Sequence, residues 1–241
     1  MSIFKRIPVE RKNVSKYDHE LNFWKGCIKD YRLWYKGEVE LYETKPPTDS
    51  EKIRDTNPDY AAILTWLKLH QEKKYILDLE LDSEVFRGKR VLDVGSGPLP
   101  SAQVFEGCEL YCLDPLIPKY LEAGYPMHIY DQNVRFAYGH AENMPFPENF
   151  FDVVISVNAL DHVDDFKSTA NEINRVLKKD GNLRFHLHYH SPTITEPLVL
   201  NDNVVAEAFQ WAQSFRKINQ KQSKTGYTAP EGEYYTLWSN F

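Results

Sequence analysis

The chain has three cysteines in 241 residues (Cys27, Cys108 and Cys112) and no CxxC pair, which argues against a disulfide framework and against a thiolate metal site. They read as reduced core residues, the usage of a cytoplasmic protein. No apolar run is long enough for a signal peptide or a membrane helix, and the first residues, MSIFKRIPVERKNV, are mixed and polar. Positive charge is in deficit, with 29 Lys and Arg against 35 Asp and Glu and a formal net charge of −6. Nucleic-acid phosphates call for a basic footprint, so that class of partner is disfavoured. There is no internal repeat and no low-complexity tract. What is present is ample for a buried core: 42% hydrophobic residues and 13 Phe, 15 Tyr and 5 Trp. The length fits one large domain, or one domain with an appendage.

The chain is organised around VLDVGSGPLP, residues 91–100. Val91, Leu92 and Val94 bracket Asp93, and Gly95-Ser96-Gly97 then breaks the apolar run. This pattern predicts a buried strand feeding a tight turn. Glycine there permits positive φ and lets the backbone approach a ligand closely. The next apolar run, ELYCLD, ends on Asp114. A carboxylate at the tip of the second strand can accept hydrogen bonds from both hydroxyls of a ribose. Its spacing from the turn is close to the roughly 20 residues of the dinucleotide fingerprint. NAD and S-adenosylmethionine share that adenosine half. The third glycine of the dinucleotide pattern is missing, however, because position 100 is proline, so no pyrophosphate cradle is spelled.

DVGSGPLP, LDP at 113–115, GHAENMPFPENFFDVVISVNALDHVDD at 139–165 and RVLKKDGNL at 175–183 follow one another in order. In these motifs the chain resembles the class I S-adenosylmethionine-dependent methyltransferases, on the small-molecule branch with the quinone and sterol methyltransferases. The resemblance implies an α/β fold: a doubly wound, mostly parallel, seven-stranded Rossmann-like sheet with an N-terminal helical extension. It implies S-adenosylmethionine as cofactor, held by Asp93, Gly95, Ser96, Gly97, Asp114, Pro115, Ala141, Glu142 and Asn158. Two departures stand out. The helix after the glycine turn must be short, since Gly107 and the second strand arrive quickly. His140 stands where relatives carry an acid for the adenine amino group, which shifts that contact to the backbone around Ala141 and a neighbouring side chain.

Before the sheet, Leu21, Trp24, Ile28, Tyr31 and Trp34 or Tyr35 have helical spacing, stopped by Gly37. ETKPPTDSEKIRDT then reads as a loop or mobile lid, and Asn57-Pro58 starts a second helix to about Lys74. Residues 1–84 are therefore expected to form a helical extension or substrate cap, and residues 85–241 the cofactor-binding domain. Further along, FDVVISV at 151–157 is a strand buried on both faces. A helix capped by Asp164-Asp165 and stopped by Gly181 follows. Then come a fifth strand at 183–190, a helix over 202–213, a strand near 215–220 and a last strand at 234–240.

Methyl transfer to a hydroxyl or protonated amine needs a base titrating near neutrality, a role that suits histidine. His162 falls at the rim after the fourth strand, and similar enzymes carry a histidine there. It is the candidate base, with Asp161 able to raise its basicity. His186, His188 and His190 alternate and so share one strand face. Alternate histidines can share a metal, with Asp161 as a carboxylate to complete the set. Methyl transfer itself needs none, and the expectation is no metal, with His188 and His190 lining the acceptor pocket. The leading expectation is an enzyme that methylates a hydroxyl or amine of a small molecule such as a sugar or secondary metabolite. An RNA or protein methyltransferase is disfavoured by the acidity and by SVNA where Asn/Asp-Pro-Pro-Tyr would stand. A cofactor-binding but inactive partner subunit is the third reading. The acceptor and the oligomeric state stay open.

Overall fold

The computed structural model describes residues 15–40, 58–224 and 227–241. The stretch expected as a lid, residues 43–56, and Asn57 lie outside the described residues. Seven strands form one sheet: β1 (Arg90–Val94), β2 (Glu109–Asp114), β3 (Val134–Tyr138), β4 (Phe151–Val157), β5 (Leu177–Tyr189), β6 (Arg216–Lys221) and β7 (Tyr234–Ser239). Their spatial order is β3-β2-β1-β4-β5-β7-β6. The first five are parallel, and β7 runs antiparallel between β5 and β6. This is the expected doubly wound, mostly parallel sheet. Val91, Leu92, Val153, Val154 and Ile155 are buried, as befits central strands with helices on both faces. Chain order reverses between β1 and β4, so their carboxyl ends open a crevice where ligands bind in such sheets.

The N-terminal helices cover one face. Helix α1 (Lys16–Tyr35) starts with a capping box between Ser15 and Asp18 and buries Leu21, Ile28, Tyr31, Trp34 and Tyr35. Gly37, at φ +76°, turns the chain away after it. Helix α2 (Pro58–His70) packs on α1 and continues as a π-helical turn, Gln71–Ile76. The Tyr31 and Trp66 rings stack between them at 4.4 Å. After β2 comes the short α3 (Ile117–Glu122). On the other face α4 (Phe166–Val176) begins at Asp165, whose side chain accepts the Ser168 amide, and buries Phe166, Ala170, Ile173 and Val176. Cutting such a buried residue to alanine, Ile173→Ala for example, costs about 2–5 kcal/mol. The last helix is α5 (Asp202–Ala208), capped by Asn201.

Two local expectations need correction. Gly181 does not stop α4. That helix ends at Val176, β5 begins at once, and the pairing jumps from Phe151–Leu177 to Val153–Asn182, so residues 178–181 loop out within the strand. A Cβ at Gly181 would stand 2.6 Å from Leu177 Cδ1, so the glycine serves that tight excursion. The helix expected to 213 stops at Ala208, and the chain turns through Ser214, at φ +60°, into β6. The helix after the glycine turn is short, as expected: it is a 3-10 turn, Ser101–Val104. Pro98 and Pro100 supply no N–H there, and Gly107, at φ +67°, already bends the chain into β2.

Candidate active site

The glycine turn is shaped by close approach on two sides. Gly95 has φ +73° and Gly97 φ +64°. A Cβ on Gly95 would lie 2.3 Å from Ala159 Cβ, and one on Gly97 3.0 Å from the Trp24 ring. The turn is tied to β2 through the Leu113 carbonyl, which accepts the Gly95 amide at 2.8 Å. One Asp114 oxygen accepts the Gly97 amide at 2.9 Å and the other the Leu116 amide at 2.8 Å. Burial pushes the Asp114 carboxyl up to about 6 against the pull of those two bonds. Asp93 sits behind the turn, fully buried, accepting the Tyr75 hydroxyl at 2.9 Å. Burial raises it to about 7.

One cavity opens at the carboxyl ends of β1, β2 and β4. Gly95, Ser96, Gly97, Asp114, Pro115, Ala141, Glu142, Asn158 and His162 all line it. Asp93, Asp161, His188 and His190 do not. Asn158, at φ +50°, is locked to β5: its amide donates to the His186 carbonyl (2.9 Å), and its Oδ1 lies 2.7 Å from His186 Nδ1. Glu142 Oε1 accepts the Asp164 amide at 2.7 Å and so braces the loop after β4. His140 also lines the cavity, with Nδ1 3.1 Å from the Tyr17 hydroxyl.

Helix α1, the end of α2 and the π turn complete the wall with residues that the motifs did not reveal: Lys16, Tyr17, Glu20, Trp24, His70 and Lys74. Lys16 Nζ donates to the His162 carbonyl at 2.8 Å and pairs with Asp164 at 2.6 Å, pinning the end of α1 to the loop after β4. Burial lowers the Lys74 ammonium below its ordinary range, with Asp78 the main opposing charge. Helical periodicity marked Trp24, but it carries no sign that the residue faces a ligand.

The side near β5 is polar. His162 lies between two carboxylates, Nδ1 3.7 Å from Glu20 Oε2 and Nε2 3.6 Å from Glu196 Oε1. Behind it, His190 Nε2 is 3.7 Å from buried Asp161 and 3.9 Å from Glu196. Burial pushes the His190 imidazole down, but Asp161 and Glu196 outweigh it and raise it to about 9. Burial likewise pushes Asp161 up, and His190 and His162 hold it below the usual carboxylate range. His188 pairs with Glu233 at 3.2 Å and stacks on Tyr235 at 4.4 Å. Asp161, His188, His190 and Glu196 together form a group that could hold a metal ion. Glu196 had no motif to announce it; it lies on the irregular chain after β5.

A glycine turn over a sheet switch point, an acid closing the second strand and a polar rim after the fourth define a nucleotide-type site on a methyltransferase fold. Residues 92–185 match the methyltransferase-domain family. The chain is 33% identical over 103 residues to the uncharacterised methyltransferase YcgJ of Bacillus subtilis, covering 42% of this chain and 41% of that protein. It is 35% identical over 120 residues to the ubiquinone/menaquinone biosynthesis C-methyltransferase UbiE of Azotobacter vinelandii, covering 46% of each. The chain thus spans less than half the length of these curated relatives. Among solved structures, the phosphoethanolamine N-methyltransferase 2 of Haemonchus contortus, in complex with S-adenosyl-L-methionine, superposes with a TM-score of 0.52. It is 17% identical, covering 72% of this chain and 46% of that one. A chain of the Haloferax volcanii complex with the Trm112 methyltransferase activator gives a TM-score of 0.55 at 17% identity, covering 74% of this chain and 94% of that one. Residues 92–185 thus carry a methyltransferase domain, and the chain is similar to S-adenosylmethionine-dependent methyltransferases. No described helix is long and apolar enough to cross a membrane.

Proposed function

We propose that this chain transfers the methyl group of S-adenosylmethionine to a hydroxyl or amine of a small molecule. The observation that carries the reading is the single cavity in which the Gly95–Gly97 turn and Asp114 meet His162. The residues fit the cofactor: the turn leaves no room for a Cβ, and Asp114 is a buried carboxylate beside it. Asp114 would hold the ribose diol, with Ser96, Pro115, Ala141, Glu142 and Asn158 around the nucleoside. Asp93 supports the turn from behind. Glu20 and Lys74, an anion and a cation on one wall, complement the ammonium and carboxylate of the cofactor's amino-acid end. When bound, the cofactor supplies an electrophilic methyl on a sulfonium.

The chain's own part is alignment and proton removal. His162 faces the cavity with a carboxylate near each ring nitrogen, which suits a base that must take the acceptor's proton. Helix α1 acts as part of a cap, with Lys16, Tyr17, Glu20 and Trp24 on the wall. Free Cys27, Cys108 and Cys112 are in keeping with a cytoplasmic setting.

A second reading concerns the accepting atom. Curated relatives include C-methyltransferases, UbiE and the sterol 24-C-methyltransferase erg6 of Schizosaccharomyces pombe, so a carbon acceptor in a small lipid is the rival. The net charge of −6 disfavours RNA as acceptor. Turnover on a panel of hydroxylated metabolites, amines and quinols, with the product's methyl located by mass spectrometry, tests the proposal. Methylation of oxygen or nitrogen supports it, and methylation confined to carbon replaces it with the rival. Cofactor binding with no turnover on any of them would favour an inactive binding subunit.

A further inference from the structure

We infer that Asp161, His188, His190 and Glu196 form a divalent transition-metal site, of a donor type suited to zinc, directly behind His162. Each residue offers one donor atom, and these atoms lie within 4.8 Å of one another. His190 Nε2 is 3.7 Å from Asp161 Oδ2 and 3.9 Å from Glu196 Oε1. Ligands around a tetrahedral zinc at about 2.0–2.2 Å stand about 3.3–3.6 Å apart, so a small contraction closes the set. Two imidazoles and two carboxylates are a donor set that zinc accepts, and the two negative charges neutralise the ion.

The two most buried of these groups are Asp161 and His190. The Asp161 side chain is 1% exposed, and among the described residues neither of its oxygens has a hydrogen-bond partner. The His190 side chain is 3% exposed, and its Nε2 likewise has none among the described residues. Buried polar atoms without partners carry a substantial cost, which a bound ion removes. The outer contacts are those that orient ligands. His190 Nδ1 lies 2.7 Å from the Ser191 carbonyl, which fixes Nε2 as the lone-pair nitrogen when the ring is neutral. Glu196 Oε2 accepts the Thr193 hydroxyl at 3.1 Å, turning Oε1 toward the histidines. His188 is set by Glu233 and by stacking on Tyr235.

The sequence pattern of alternate histidines gave two of these ligands and one carboxylate, and the expectation was that no metal is held. Against that expectation stands Glu196, which the chain after β5 brings to the same group. Glu196 also stands 3.6 Å from His162, so an ion here would lie beside the rim of the methyl-donor cavity. Resting on the methyltransferase reading, its role would be to hold an acceptor oxygen and ease loss of its proton.

The competing account of the same residues is a plain ion pair between protonated His190 and Asp161. Titration of chelator-treated protein with zinc against a chromophoric competitor, without S-adenosylmethionine, separates the two. One ion per chain is expected, with affinity reduced at least 100-fold in both His190→Ala and Glu196→Gln. Glu196 is on a partly exposed loop, so that variant tests the site even if His190→Ala misfolds, and circular dichroism checks both. No saturable binding, or binding unchanged in a folded Glu196→Gln, would overturn the site and leave the ion pair. Because no cofactor is present, either result stands apart from whether the chain binds S-adenosylmethionine.

Discussion

At the β1–β2 end of the cavity the facing groups come from residues 95–97 and 114–116, whereas at the β4–β5 end they come from residues 20, 74, 162 and 195. The first end is made of backbone: a turn with two positive-φ glycines and a carboxylate that takes two amides. The second is made of side chains delivered by α1, the π turn, the loop after β4 and the chain after β5. Backbone geometry dictates residue type at fixed short spacing, so the first end can be spelled locally. Side-chain chemistry at the second end is assembled by the fold, and each residue there has an ordinary local role of its own.

The sharpest way to break the first end is Gly95→Val. Left-handed backbone strain and overlap with Ala159 each cost about 1–3 kcal/mol. Cofactor affinity is expected to fall by more than about 100-fold, read by calorimetry, with a lowered thermal midpoint. Asp114→Ala removes a charged acceptor and should weaken S-adenosylmethionine by about 1.5–3 kcal/mol in a folded variant. An unchanged dissociation constant would take Asp114 out of the site.

At the second end the variant is His162→Ala. A base contributes about 10²–10⁴-fold, so turnover should fall at least about tenfold while cofactor affinity holds nearly constant. His162→Gln sharpens the result, since it can hydrogen-bond but cannot accept the proton. Near-native turnover in the Gln variant would reduce His162 to a positioning residue.

The last variant is read by stability rather than by binding or turnover, and concerns Asp93, the residue that supports the turn from behind. Its unfolded value is near 3.9 and its folded value about 7, so the native state favours the protonated form. That stability is fully present below about pH 4 and is lost as pH rises to about 7. The thermal midpoint of the wild type relative to Asp93→Asn should therefore fall across that window and level off above it. A flat difference would mean that Asp93 is not buried as a carboxylic acid.

The legibility of the chain follows the same division. Strand β4 has the bounds its β-branched run predicts, and β1 and β2 follow from apolar runs broken by glycine or ended by an acid. Gly181 misled because its apparent role, ending a helix, resembles the one it has, allowing residues 178–181 to loop out of β5. Nothing in the sequence marks Glu20 and Lys74 as wall residues, because charges on amphipathic helices are common, and only packing of α1 and the π turn over the sheet brings them to the cavity. Glu196 lies in a stretch with neither period nor motif. Its meaning appears when the Thr193–Glu196 turn, closed by the Thr193 amide and the Glu196 carbonyl at 2.9 Å, folds it toward His190 and His162.

Calorimetric titration of the chain with S-adenosylmethionine tests the central claim most directly. One site per chain is expected, weakened about 10- to 150-fold by Asp114→Ala in a folded protein. Absence of binding heat across several temperatures, together with no thermal stabilisation by the cofactor, would contradict the account.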